Sequence, residues 1–219
     1  MSTKSIDHWS DLVDGRLGEF AFLRVDIVGH SRITSENAYQ AVEHVLEEFE
    51  NLVEDSVNET GGQLWSWGGD GGLASYYEGA NITVKAQGAV KTAFSILESL
   101  PSFNEAHTLP RPQDKIAVRI AVHIGTARYR EKVGRIHSEA INFVSHLEHE
   151  KTLPNSISIS HDALIQVRGD YDGRFTPMGN FENRRIYTSD EQSRTAVPVE
   201  ERILKGGFNL AKRLKDGLS

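Results

Sequence analysis

The stretch EFAFLRVDIVGH, residues 19–30, reads as a short apolar strand that ends at Asp26 and runs into a glycine-containing turn. Downstream, Val42, Val45, Leu46, Phe49, Leu52, Val53 and Val57 recur at helical spacing, and Gly61-Gly62 stops that helix. Gln63–Trp67 and Leu73–Tyr77 read as two strands separated by GGDGG, a hairpin signal. Trp65 and Trp67 alternate with Ser66 and are expected to share one face. A second helix carries Val84, Val90, Ala93, Phe94, Leu97 and Leu100 on its apolar side. Pro101 is expected to end it, leaving SFNEAHTLPRPQD (102–114) as a polar loop. Ile116, Val118, Ile120 and Val122 then alternate with Ala117, Arg119, Ala121 and His123, which is a strand pattern. The order β-α-β-β-α-β predicts an α+β, ferredoxin-like fold with long helices on one face of an antiparallel sheet. Beyond it, 137–151 reads as a helix, ISIS (157–160) as a strand, His161–Val167 as a short helix and Arg184–Tyr187 as a last strand. Residues 189–200 have linker composition, and the tail to Ser219 is a basic amphipathic segment broken at Gly206-Gly207.

Composition narrows the function classes. The 219 residues are 38% hydrophobic and 25% charged, ordinary for a globular chain able to bury a core without staples. With 24 Lys and Arg against 31 Asp and Glu the formal net charge is -7, which argues against nucleic acid as a partner. The absence of cysteine excludes disulfides, zinc-thiolate sites and cysteine nucleophiles. MSTKSIDHWSDLVDG contains no apolar signal-peptide core, and no apolar run approaches the length of a spanning helix. A soluble cytoplasmic protein without stable membrane insertion is expected.

Two aspartates stand where chemistry is expected. Asp26 ends the first strand, and Asp70 sits in the tight turn of the hairpin. The topology allows both carboxylates to meet at one sheet end. Hard carboxylates on rigid strands suit Mg²⁺ or Mn²⁺ and leave room for phosphate oxygens. The turn after Asp26, with Val28, Gly29, His30 and Ser31, offers backbone N–H groups that can cradle a polyphosphate. On spacing alone, a turn aspartate and a strand terminus explain the pair equally well.

Four segments in order carry a more specific signal: VDIVGHS, then GGQLWSWGGDGGLASY, then VRIAVHIG, then EAINFVSHLE. Across roughly residues 20–188 they resemble the catalytic domain of class III nucleotide cyclases, which has a DIVGF-type strand end, a GDG hairpin, a GIHTG-type strand and a VNxAARLE-type helix. The resemblance implies a catalytic domain over 1–188 and a linker and tail over 189–219. It implies two Mg²⁺ or Mn²⁺ ions per site, held by Asp26, Asp70 and the carbonyl of Ile27. It further implies a homodimer with composite sites, in which Asn142 of the second subunit orients the ribose. Four residues on, the family's transition-state arginine is replaced by His146, with Arg128 and Arg130 the nearest arginines in sequence. The family's terminal-phosphate lysine also has no counterpart near the last strand, where Arg184 and Arg185 stand instead.

The base-reading positions depart from both purine patterns, holding Ser66 and Arg135. Arginine offers only donors, which suits the carbonyls of a pyrimidine better than the exocyclic amine of adenine. The chain looks like the stand-alone pyrimidine cyclases of bacterial anti-phage signalling. That likeness implies UTP, or else CTP, as substrate and a separate effector protein as reader of the product. An adenylate cyclase with atypical base contacts and a degenerate nucleotide-binding module are the alternatives. Arg135 as a solvated hairpin arginine is the bland reading of that position.

Overall fold

The computed structural model describes Trp9, residues 12–37, 39–109, Arg111, and residues 114–129, 138–171 and 173–189. The expected positions Arg130 and Arg135, and the tail from residue 190, lie outside the described residues. A seven-stranded sheet runs in the order β2-β3-β1-β4-β5-β7-β6. Its centre is β1 (Leu17–Ile27), antiparallel to β3 (Gly71–Tyr76) on one side and to β4 (Val118–Arg128) on the other. With β2 (Gln63–Gly68) these strands form the expected ferredoxin-like core, and β5 (Ser156–Ser160) extends it in parallel with β4. The hairpin of β6 (Phe175–Phe181) and β7 (Arg184–Ser189) completes the far edge.

The period-two pattern of β1 sorts its side chains between two cores. Ala21, Leu23, Val25 and Ile27 face α2 (Tyr39–Glu59) and α3 (Ile82–Ala106). Val42, Val45, Phe49, Val53 and Val57 give α2 a continuous buried stripe against them. Phe20 and Phe22 face the opposite way, under Phe143, Val144 and Leu147 of α4 (Glu139–Lys151). The two long helices therefore lie on one face as expected, and α4 covers part of the other. Two shorter helices, α1 (His30–Glu36) and α5 (His161–Gln166), follow β1 and β5.

Three local expectations are corrected. Pro101 lies inside α3 and does not end it. Proline there removes one helical donor, yet the last turn is held by Phe103, which is buried. Asn104 adds two bonds to the backbone of Ile116, accepting at 2.7 Å and donating at 2.9 Å. Residues 102–106 are thus helix where a loop was expected. Second, Trp65 and Trp67 do not share a face. The ladder passes from Leu64 opposite Ala74 to Ser66 opposite Leu73, so Trp65 is an extra residue in a β-bulge. Trp67 packs on Phe49 in the α2/α3 core, whereas Trp65 packs on Trp9, Phe20 and Tyr129 on the other face. Third, β6 was not anticipated, because its mostly exposed sequence FTPMGNF has neither alternation nor an apolar run. The sheet also continues to Ser189, whose buried hydroxyl accepts from the Ile157 N–H at 2.9 Å.

The glycines after Asp70 are a steric requirement. A Cβ on Gly71 would lie 2.2 Å from the Val25 carbonyl oxygen, a backbone atom that cannot swing aside. Gly68, at the start of the same turn, has open space around it. Gly71→Ala should therefore cost about 3 kcal/mol in urea unfolding, while Gly68→Ala stays within about 1 kcal/mol of wild type.

Candidate active site

The close packing of Gly71 on β1 brings Asp70 beside Asp26. Asp26 pairs with Gly71 across the ladder, and the Ile27 N–H donates to the Asp70 carbonyl at 2.7 Å. Asp70 thus stands diagonally opposite Asp26, in the turn that leads into β3 at the same sheet end. Asp26 is buried and Asp70 half-buried.

The Asp26 carboxylate does not stand alone. Arg119, its cross-strand partner on β4, donates from Nη2 to Asp26 Oδ2 and from Nε to Glu148 Oε1 of α4 at 2.7 Å. Burial, followed by the charge of Asp26, pushes the Glu148 carboxyl up to about 7, against the pull of Arg119. Asp26 and Glu148 thus share one guanidinium, so Arg119 does not fully neutralise the pair, and negative charge remains that a divalent cation would offset. Among the described residues no cluster of three or more His, Asp or Glu side chains is close enough to hold a metal. The donor set that fits Mg²⁺ or Mn²⁺ is therefore two carboxylates, Asp26 and Asp70, with the Ile27 carbonyl beside them. Arg119 and Glu148 were not assigned to the site from sequence. Arg119 looked like a plain alternating strand residue, and only the register with Asp26 gives it a role.

The turn that follows is built from Val28 and Gly29. Val28 donates its N–H to Ala117 at 2.8 Å, so that group is already committed. Gly29 adopts φ 70°, a left-handed value that favours glycine, and its carbonyl accepts from the N–H groups of Arg32 and Ile33. The N–H groups of His30 and Ser31 precede those first helical bonds and have no acceptor within α1.

No protein-family model and no curated protein matches the chain. Solved structures do. An adenylate/guanylate cyclase/hydrolase from Silicibacter pomeroyi is 23% identical, with a TM-score of 0.63 over 80% of this chain and 97% of that one. The adenylyl cyclase CyaB from P. aeruginosa is 18% identical, with a TM-score of 0.68 over 80% and 95%. The guanylate cyclase domain of RhGC from Catenaria anguillulae, in complex with GTP, is 17% identical, with a TM-score of 0.66 over 80% and 98%. The fold is that of the class III nucleotide cyclases.

Within this cyclase fold, the start of α4 and Arg184 lie toward the opposite end of the sheet from Asp26. Ala140 of α4 packs directly on Gly125 of β4, which pairs with Phe20, six residues before Asp26. That separation is about 20 Å along the strand. Asn142 follows half a turn later and is exposed. His146 is exposed one turn further on, with its Nδ1 hydrogen-bonded to Glu182 at 2.7 Å. Arg184 also lies at the far end, bonded to Glu139 at 2.8 Å and stacked 4.7 Å over the Phe143 ring. Arg185 is exposed on the β6–β7 hairpin. The exposed Ser66 shares a cross-strand row with Leu73 and Arg24. One chain therefore assembles Asp26, Ile27, Asp70 and the Val28–Ser31 turn, while Asn142 and Arg184 stand toward the other end of the sheet and the ring of His146 is turned to Glu182. No described helix is long and apolar enough to cross a membrane.

His123 supports the far end. It is buried, its Nδ1 is hydrogen-bonded to Ser160 at 2.8 Å, and its ring packs 4.5 Å from that of Phe143. Burial, and then the charge of Arg184, lowers its pKa to about 4. The unfolded imidazole takes up a proton near pH 6.5, so the folded state binds fewer protons between pH 6.5 and 4. The stability His123 contributes is present above that window and is lost as the pH falls through it. Thermal midpoints at pH 7 and pH 5 should show a larger acid loss for wild type than for His123→Gln, a comparison in which the contribution of Glu148 cancels.

Proposed function

We propose that this protein cyclises a pyrimidine nucleoside triphosphate, UTP in preference to CTP, to its 3′,5′-cyclic monophosphate with release of pyrophosphate. The observation that carries the reading is the meeting of Asp26 and Asp70 beside the Val28–Ser31 turn, in a class III cyclase fold. In the reaction the 3′-oxygen forms a bond to the α-phosphorus of the same nucleotide. The bond from that phosphorus to its bridging oxygen breaks, the pyrophosphate departs with the electron pair, and the 3′-hydroxyl proton passes to solvent. When bound, Mg²⁺ or Mn²⁺ would supply Lewis acidity toward the 3′-oxygen and the triphosphate.

The chain's own residues divide the work. Asp26, Asp70 and the Ile27 carbonyl would hold the cations. Arg119, fixed by Glu148, presents positive charge beside Asp26 where phosphate oxygens would lie. The N–H groups of Gly29, His30 and Ser31 face the same end. Asn142 orients the ribose, and His146 occupies the transition-state position, with Glu182 holding its ring. The separation of Asn142 from Asp26 favours a homodimer with two composite sites, each joining Asp26 of one protomer to Asn142 of its partner. Arg184 and Arg185 would then serve the partner's triphosphate. Ser66 and Arg135 read the base, and a donor-only arginine favours the two carbonyls of uracil. A second-messenger role in bacterial antiviral defence, with the product read by a separate effector, is the setting we infer from the resemblance.

Purified protein with Mn²⁺ should release pyrophosphate and a cyclic product fastest from UTP among the four nucleoside triphosphates. A preference for ATP would instead establish the adenylate cyclase reading, and no turnover with any of them the degenerate one. Asp26→Ala and Asp70→Ala should each abolish turnover while leaving the circular dichroism spectrum intact. Mixing inactive Asp26→Ala with inactive Asn142→Ala should restore activity through one intact site per heterodimer. A mixture that stays dead despite subunit exchange would place the whole site within one chain.

A further inference from the structure

Within one protomer, the Arg119 guanidinium at the triphosphate end is already shared between two carboxylates. Arg184 is bonded to Glu139 at the far end of the sheet. Arg32, six residues after Asp26, is the cation beside the turn itself. Its Nε lies 4.0 Å from where a Cβ on Gly29 would be, so the guanidinium folds back over the turn. One corner is anchored, with Nη1 donating to Asp114 Oδ1 at 2.7 Å and to Glu36 Oε2 at 3.3 Å. Among the described residues, its Nε and Nη2 groups have no hydrogen-bond partner. The Arg32 side chain is 53% exposed, whereas that of Asp114 is 1% exposed.

We propose that Arg32 is a triphosphate-contacting residue of this site, and that Asp114 is the positioning residue that aims it. The inference rests on the cyclase reading above. Asp114 is well placed for the task because it is itself fixed. Its second oxygen accepts from Asn37 Nδ2 at 3.0 Å, and the Asn37 side-chain oxygen accepts from the Arg111 N–H at 3.2 Å. Arg111 in turn pairs with Glu36. Asp114 also precedes β4, the strand that carries Arg119, so one carboxylate ties the guanidinium over Gly29 to the strand beside Asp26. A guanidinium suits this double duty. It can hold a carboxylate at one corner and present the rest of its planar fork to phosphate oxygens, which an ammonium cannot do.

The opposing view is that Arg32 and Asp114 only staple α1, which contributes a single buried residue, Ile33, to the core. Isothermal titration of the full chain with inorganic tripolyphosphate in the presence of Mn²⁺ separates the two, because it needs no turnover. Arg32→Ala should weaken binding by about 10- to 100-fold, the loss of one charge-assisted hydrogen bond to phosphate. Arg32→Lys should recover only part of that loss. Asp114→Asn should weaken binding several-fold by releasing the aim, with near-ultraviolet circular dichroism unchanged. If Asp114→Asn folds poorly, the Arg32 pair of variants decides, since Arg32 is largely exposed. Wild-type affinity in Arg32→Ala, even with a lowered melting temperature, would overturn the inference and leave the cyclase reading standing. Wild-type affinity in a folded Asp114→Asn would remove Asp114 from the proposal. A wild-type protein that binds no tripolyphosphate with Mn²⁺ would overturn both the inference and the reading beneath it.

Discussion

The contact of Gly71 with the backbone of β1 is the constraint from which the candidate site follows. Only a residue without a Cβ lets the hairpin strand approach the Val25 carbonyl, and that approach allows the Asp70 carbonyl to accept from Ile27. Two aspartates some forty positions apart in sequence are thereby locked side by side, one at the end of β1 and one in the turn entering β3. The geometry is made by backbone, which does not adjust as side chains do, so the two carboxylates are placed by the sheet itself.

That placement creates an electrostatic problem which α4, on the same face of the sheet as Asp26, answers. Asp26 is largely removed from water, where an unpaired carboxylate is costly, and Arg119 and Glu148 form a short relay that anchors it to α4. The raised pKa of Glu148 reflects first its burial and then the negative charge of Asp26 beside it. Helix α4 therefore has two jobs in one element. Near its end it secures the aspartate of its own chain through Glu148, and on its outer side it exposes His146 about half a turn earlier and Asn142 a further turn before that.

Much of this was legible in the sequence because strong local signals agreed. The alternation in β1 and β4, the heptad-like stripe of α2 and the glycine hairpin each point to the same core, and Asp26 and Asp70 sit at their punctuation marks. What escaped was set by tertiary context. Pro101 stayed helical because Phe103 and Asn104 hold the following turn from outside the helix. The two tryptophans separated because one extra residue in β2 shifts the alternation, and a single sequence carries no mark of a bulge. Arg119, Glu148 and Asp114 were invisible as site residues, since each is defined only by a partner distant in the chain.

The bulge in β2 has an optical consequence. Trp67 sits against Phe49 within the α2/α3 core, while Trp65 lies with Trp9 on the face that also bears Asp26 and α4. Two indoles two positions apart in the chain therefore sample separate compartments. Their fluorescence gives a cysteine-free protein two built-in reporters, one for core integrity and one for events on the site-bearing face.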